Sequence, residues 1–192
     1  MKKPELLVTP IDLTNLNDLI DAGADAFVIG EERYGLRLAG EFKKDDVKAA
    51  IELSHKHGKK VYVAMNALFH NEKVDELSAY LQFLNEAGAD AVIFGDPAVL
   101  MAAKEVAPNM PLHWNTETTA TNYYTCNYWG RKGSKRAVLA REINMDAIVE
   151  IKENAEVEIE VQVHGMTCMF QSKRSLLGHY FEYQGKQMEV EK

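Results

Sequence analysis

Arg141 and Glu142 follow directly on the apolar run AVLA at residues 137–140, so a guanidinium and a carboxylate stand together at the end of a buried strand. At strand spacing Arg141 shares a face with Ala137 and Leu139, and Glu142 shares the opposite face with Val138 and Ala140, which turns one of the two toward whatever cleft the strand end borders. A guanidinium there would take a carboxylate or phosphate through paired hydrogen bonds. The plainer alternative is an Arg–Glu pair that closes the strand end. A second polar concentration is HWNTETTATNY, in which Asn115, Glu117 and Asn122 could orient a substrate. The same residues also read as a helix start, with Thr121 as its N-cap. A third is VHGMTCMF, where His164 and Cys168 could make a base and a thiolate nucleophile, or two ligands of a metal. Zinc or an iron–sulfur cluster wants about four ligands and the only other cysteine is Cys126, so no metal is expected.

These groups gain meaning from the elements that carry them. The segment LIDAGADAFVIG, residues 19–30, returns as LNEAGADAVIFG, residues 84–95: a helix end, a turn and a strand occur twice. Gly23 and Gly88 suit the left-handed helix cap, and the β-branched run after each makes a buried strand. Strands are predicted at residues 5–8, 26–29, 60–64, 91–94, 112–115, 137–140 and 158–163, with helices at 13–22, 44–57, 74–87, 98–106, 121–129 and 145–154. Strict βα alternation implies a parallel sheet with right-handed crossovers. A unit that recurs two strands later favours the cyclic (β/α) TIM-type barrel over a doubly wound sheet, and no Gly-rich phosphate loop follows the first strand. The barrel is expected to be incomplete, about seven βα strands in a single domain over residues 1–192 that lacks its last strand.

In such a barrel the carboxyl ends of the strands converge on one mouth. Asn66, Asn115, Glu117, Asn122, Arg141, Glu142 and His164 are placed there, as are Thr9, Asp12, Glu31, Glu32, Arg33 and Asp96. The mouth is thus expected to hold a small anionic ligand. The basic run RKGSKR, residues 131–136, enters the sixth strand from the opposite face and reads as a solvated turn, with phosphate contact as the alternative.

Composition narrows the classes. Hydrophobic content of 46% and charged content of 27% are those of a globular protein. No run of about 18 apolar residues or signal-peptide core is present, which predicts a cytoplasmic protein without a membrane partner. Two distant cysteines argue against a disulfide framework. A net charge of −7 disfavours broad non-specific binding to nucleic acid and leaves a local basic patch open.

Across essentially its whole length the chain resembles the collagenase-like peptidases, the peptidase family of unknown catalytic type numbered 32. The resemblance rests on AGADAFVIG, on VYVAMN through Asn66, on AGADAVIFGDP, on Thr121–Asn122 and above all on VLAREINMDAIVEI. The family signature runs from a glutamate through glycine and cysteine to a second glycine and a second cysteine. Glu160, Gly165 and Cys168 match it; Lys173 and Ser175 stand where the second glycine and second cysteine belong, and Gly178 where a serine closes the motif. With Ser175 in that place the resemblance gives no ground for an iron–sulfur cluster. It implies a factor in prephenate-dependent 5-hydroxylation of the tRNA wobble uridine, of the shorter, cluster-poor kind. Prephenate, a dicarboxylate, would then be a co-substrate suited to Arg141. Two alternatives stay open: a peptidase with Cys168 as nucleophile and His164 as base, and a non-catalytic barrel that partners a cluster-bearing paralogue. The sequence has no HExxH helix or GxSxG elbow to support a conventional protease.

Overall fold

The computed structural model describes residues 3–116, 119–165 and 176–186. The chain falls into two compact units, residues 1–162 and 163–192. In the first, strands β1 (Leu7–Val8), β2 (Ala26–Ile29), β3 (Lys60–Met65), β4 (Ala91–Phe94), β5 (Leu112–Trp114), β6 (Ser134–Val138) and β7 (Glu158–Glu160) alternate with helices α1 (Leu13–Asp21), α2 (Lys44–Lys56), α3 (Asn71–Ala87), α4 (Pro97–Val106), α5 (Tyr123–Lys132) and α6 (Met145–Asn154). The second contains helix α7 (Leu176–Tyr183). All neighbouring strands pair in parallel in the order β1 to β7, the seven-stranded (β/α) arrangement predicted above.

The helices form because their apolar residues fall on one stripe. In α2 the buried residues are Val47, Ala50, Ile51 and Ser54, and in α3 Leu77, Tyr80, Leu81 and Leu84, each set at i, i+3, i+4, i+7. α3 stops at Gly88, whose φ of 83° is the left-handed cap. The aspartate of each AGAD repeat then ties the turn to the preceding strand: Asp25 accepts the Leu6 N–H at 3.0 Å and Asp90 the Val61 N–H at 2.8 Å. The repeat is thus a device for joining a helix end to a strand pair.

Strand alternation sorts side chains into two layers. Phe27, Ile29, Val61, Val63, Met65, Val92, Phe94, Leu112, Trp114, Ala137 and Leu139 belong to the core between sheet and helices. Ala26, Tyr62, Ala91 and Ile93, with Leu7 and Val28, face the concave side. The sheet curls strongly. Strands about 4.8 Å apart would put β1 and β6 roughly 24 Å from each other in a flat sheet, yet Arg136 of β6 meets Glu5, just before β1, at 3.0 Å.

β6 begins at Ser134, three residues before the predicted start. Gly133, at φ 118°, caps α5 and releases the chain directly into the strand. The Ser134 hydroxyl accepts the Trp114 N–H at 3.1 Å where the β5–β6 register shifts. The run 131–136 is therefore not one solvated turn: Arg131 and Lys132 end a helix, and Arg136 is buried in the barrel.

Candidate functional site

At the mouth, several predicted site residues hold backbone rather than stand free. Asn66 follows β3 and its Oδ1 accepts the Leu36 N–H at 2.8 Å, fastening the loop after β2. Asp96 accepts the Phe69 N–H at 3.0 Å and caps α4 through the Ala98 N–H at 2.9 Å. Asn115 continues β5 through its own N–H, 2.8 Å from the Phe94 carbonyl oxygen. Asn66 and Asn115 converge on Gly95: a Cβ there would stand 3.0 Å from the Asn115 carbonyl oxygen and 3.2 Å from that of Asn66. Three strand ends thus meet backbone to backbone. The N-cap of α5 is Asn122, which accepts the Thr125 N–H at 2.9 Å, rather than the Thr121 expected from the sequence. The Thr116 and Thr119 hydroxyls pair with each other.

β6 ends at Val138, so the alternation of faces does not extend to Arg141 and Glu142. Leu139 and Ala140 continue through single bonds, to the Glu160 carbonyl at 2.9 Å and the Ala120 carbonyl at 3.0 Å, and Arg141 and Glu142 then form the turn before the Asn144 cap of α6. Arg141 is half-buried and Glu142 exposed. His164 is exposed in the second unit, and Glu117, Cys168 and Ser175 lie outside the described residues.

The loop after β2 carries a carboxyl of a different kind. Burial pushes Glu31 above the usual carboxylate range, against the opposing pull of the Tyr80 hydroxyl and Lys44. Glu31 Oε1 and the Tyr80 hydroxyl are both buried without a well-formed hydrogen bond among the described residues. Tyr34 stacks on Tyr80 at 4.0 Å between centroids.

The most connected polar cluster lies on the concave side toward the amino ends of the strands, and the sequence reading did not foresee it. Arg136 donates from Nε and Nη2 to Glu158 at 3.1 and 2.8 Å, and from Nη1 to Glu5 at 3.0 Å and Glu160 at 3.4 Å. Glu5 also accepts from Lys60 at 2.9 Å and from the Tyr62 hydroxyl at 2.7 Å. The guanidinium carbon stands 5.1 Å over the Tyr62 ring, and His113 meets that ring edge-on at 4.7 Å. Burial would raise the Glu5 carboxyl, but Lys60, Tyr62 and Arg136 outweigh it and hold Glu5 below the usual range. For Glu160 burial wins and the carboxyl is raised despite Arg136. Burial, with Arg136 beside it, pushes His113 down to about 3, so its imidazole is neutral at physiological pH. His113 Nδ1 has no hydrogen-bonding partner among the described residues. An open cleft of about 590 Å³, lined in part by Lys60, His113, Arg131, Lys135 and Arg136, adjoins this cluster. The alternation of Glu158 and Glu160 around Ile159 was the available sequence signal: a strand with one charged face inside a barrel needs a cation opposite.

Among the described residues no cluster of three or more His, Cys, Asp or Glu side chains could hold a metal ion. Cys126 is buried and its thiol is pushed up by that burial, which keeps it protonated. What the described residues offer at the mouth is a half-buried guanidinium, Arg141, and a rim of fixed backbone polar groups.

No helix among the described residues is long and apolar enough to cross a membrane. The fold is similar to that of a solved U32 peptidase, with a TM-score of 0.70 at 15% identity over 87% of this chain and 73% of that one. In sequence the chain is 72% identical to tRNA hydroxylation protein P2 of Bacillus subtilis over all 192 residues, and 37% identical to tRNA hydroxylation protein P1 of the same organism over 180. It spans 62% of the length of the first and 43% of the second. The model of peptidase family U32 matches residues 11–188, nearly all of the barrel and the unit after it. On these grounds the chain belongs to peptidase family U32.

Proposed function

We propose that the chain works in tRNA hydroxylation, as part of a protein that serves the 5-hydroxylation of the wobble uridine with prephenate as co-substrate. The observation that carries this reading is the 72% identity, without interruption of coverage, to a protein named for tRNA hydroxylation. The mouth is chemically suited to it. Arg141 is a cation on the carboxyl side of β6, able to receive a dicarboxylate through paired hydrogen bonds. tRNA and a paralogue of the P1 kind are the partners that follow from the same reading.

The test is a gene deletion followed by mass spectrometry of tRNA nucleosides. Hydroxylated wobble uridine should disappear, return with the wild-type gene and fail to return with Arg141→Ala. Unchanged tRNA in the deletion strain rejects the reading. Hydrolysis, the activity in the family's description, is the second reading; peptide cleavage that a Cys168→Ala variant abolishes would favour it instead.

A further inference from the structure

From Thr118 to Arg141 the chain has no aspartate or glutamate, although it carries 29 acidic against 22 basic residues overall. Arg131, Lys132, Lys135, Arg136 and Arg141 fall within that stretch. The structure folds most of it into α5 and the start of β6. Tyr124, Tyr128 and Lys132 are spaced i, i+4, i+8 and so form one stripe along α5. Tyr124 is 71% exposed and Tyr128 49%. Tyr123 stacks on Tyr124 at 4.6 Å, and Lys132 Nζ stands 5.5 Å over the Tyr128 ring, so both rings are already held in place. Arg131, Lys132 and Lys135 are exposed around the Gly133 turn, and Lys104 of α4 reaches the same turn, its Cε 3.8 Å from where a Gly133 Cβ would be.

We propose that this stripe is an RNA-docking surface, on which Tyr124 and Tyr128 stack unpaired bases while Arg131, Lys132, Lys135 and Lys104 hold phosphates. The proposal rests on the reading that tRNA is the substrate, and it names where on the barrel the tRNA lies. Aromatic faces stack on any base, and interleaved cations supply the sequence-independent part of affinity. Nucleic acid fits the surface better than a protein partner because the exposed residues of α5 are tyrosines and cations, with no exposed aliphatic side chain among them. The exposed Met145 and Val149 lie on α6. Glu150 of α6 acts electrostatically on Tyr123, and Asp90, Glu156 and Glu158 line the same cleft as Arg131 and Lys135, so acidic groups border the surface.

The test uses the protein as its own gene encodes it and an unmodified tRNA transcript with a wobble uridine, with binding measured by fluorescence anisotropy across a salt series. The Arg131→Gln/Lys132→Gln/Lys135→Gln variant should flatten the slope of log affinity against log salt by about 2 to 3, since each phosphate contact contributes roughly 0.7 to 0.9. Tyr124→Ala and Tyr128→Ala should each lower affinity roughly five-fold to a hundred-fold without changing the slope, and the Tyr→Phe variants should restore it. A Lys48→Gln/Lys56→Gln control on α2 should bind as wild type. Wild-type affinity and slope in the charge variant overturn the proposal. So does normal RNA binding by the tyrosine variants with loss of a co-purifying paralogue. If deletion abolishes wobble hydroxylation while the surface variants bind and modify tRNA normally, the docking surface falls and the functional reading stands; if deletion leaves tRNA unchanged, both fall.

Discussion

Replacing Arg136 by methionine tests whether the charged cluster inside the barrel acts as a structural plug. The three carboxylates it meets differ in what they lose. Glu158 has a side chain 65% exposed, so water takes over its solvation and the lost pair counts for less than about 1 kcal/mol. Glu5 is 22% exposed but keeps Lys60 and Tyr62. Glu160, also 22% exposed, is left with its charge inside the barrel and its carboxyl already raised by burial. Stranding one partner of a buried pair costs about 3–5 kcal/mol, and we expect that loss at pH 7, dominated by Glu160. In a unit of this size it corresponds to a fall in Tm of roughly 6–20 °C.

The pH dependence separates this account from simple loss of packing. In the variant the folded Glu160 binds its proton more tightly than the unfolded one, so stability falls, and the deficit grows, as pH rises above the unfolded carboxyl's range. Urea unfolding at several pH values measures it. Trp114, 2% exposed and stacked on Trp129 at 5.1 Å, gives the fluorescence signal. Adding Glu160→Gln to Arg136→Met should recover part of the loss at pH 7. A deficit below about 1 kcal/mol, or one that does not change with pH, or a double variant weaker than the single, would refute the reasoning.

Three further outcomes are expected. His113 should stay neutral in an NMR titration down to about pH 4; because the unfolded imidazole takes up a proton below about 6.5 and the folded one only near 3, stability should fall by about 2–3 kcal/mol by pH 4.5, and His113→Phe should remove that portion. Gly95→Ala forces a Cβ against the carbonyl oxygens of Asn115 and Asn66, which should cost about 1–3 kcal/mol in urea unfolding and perturb the mouth; an unchanged midpoint would show that the strand ends yield freely. Asn66→Ala removes the acceptor for the Leu36 N–H, so hydrogen exchange of the loop after β2 should accelerate about ten-fold or more while the amides of β3 keep their protection.

The parallel (β/α) order was legible because it is written in local signals: the paired GAD turns, the i, i+3, i+4, i+7 stripes of α2 and α3, and the apolar runs between them. The cluster around Arg136 was not, because its members come from the segment before β1 and from β3, β5, β6 and β7, and only the curl of the sheet brings them together. A misplaced start for β6 hid it further, since a strand read from Ala137 leaves Arg136 in a loop. Topology does put Asn66, Asp96 and Asn122 at the carboxyl side of the strands, yet polar residue type alone could not tell a ligand group from a cap. Asn66, Asp96 and Asn122 each satisfy a backbone N–H that the strand and helix ends would otherwise leave unpaired.

That division bears on how the molecule could work. The groups at the carboxyl rim are fixed by backbone bonds, while the amino end of the concave side is filled by an ion network; the rim is therefore rigid from both directions, which is what a site must be if a half-buried Arg141 is to orient a small anion. α5 connects the two ends. Its ten residues span about 15 Å, from the Asn122 cap on the mouth side to the Gly133 turn beside the basic rim. Phosphates held at that turn would leave the tyrosine stripe leading the RNA along the helix toward the mouth, so that the proposed phosphate contacts and the proposed anion site lie at opposite ends of one helix and can be disabled separately.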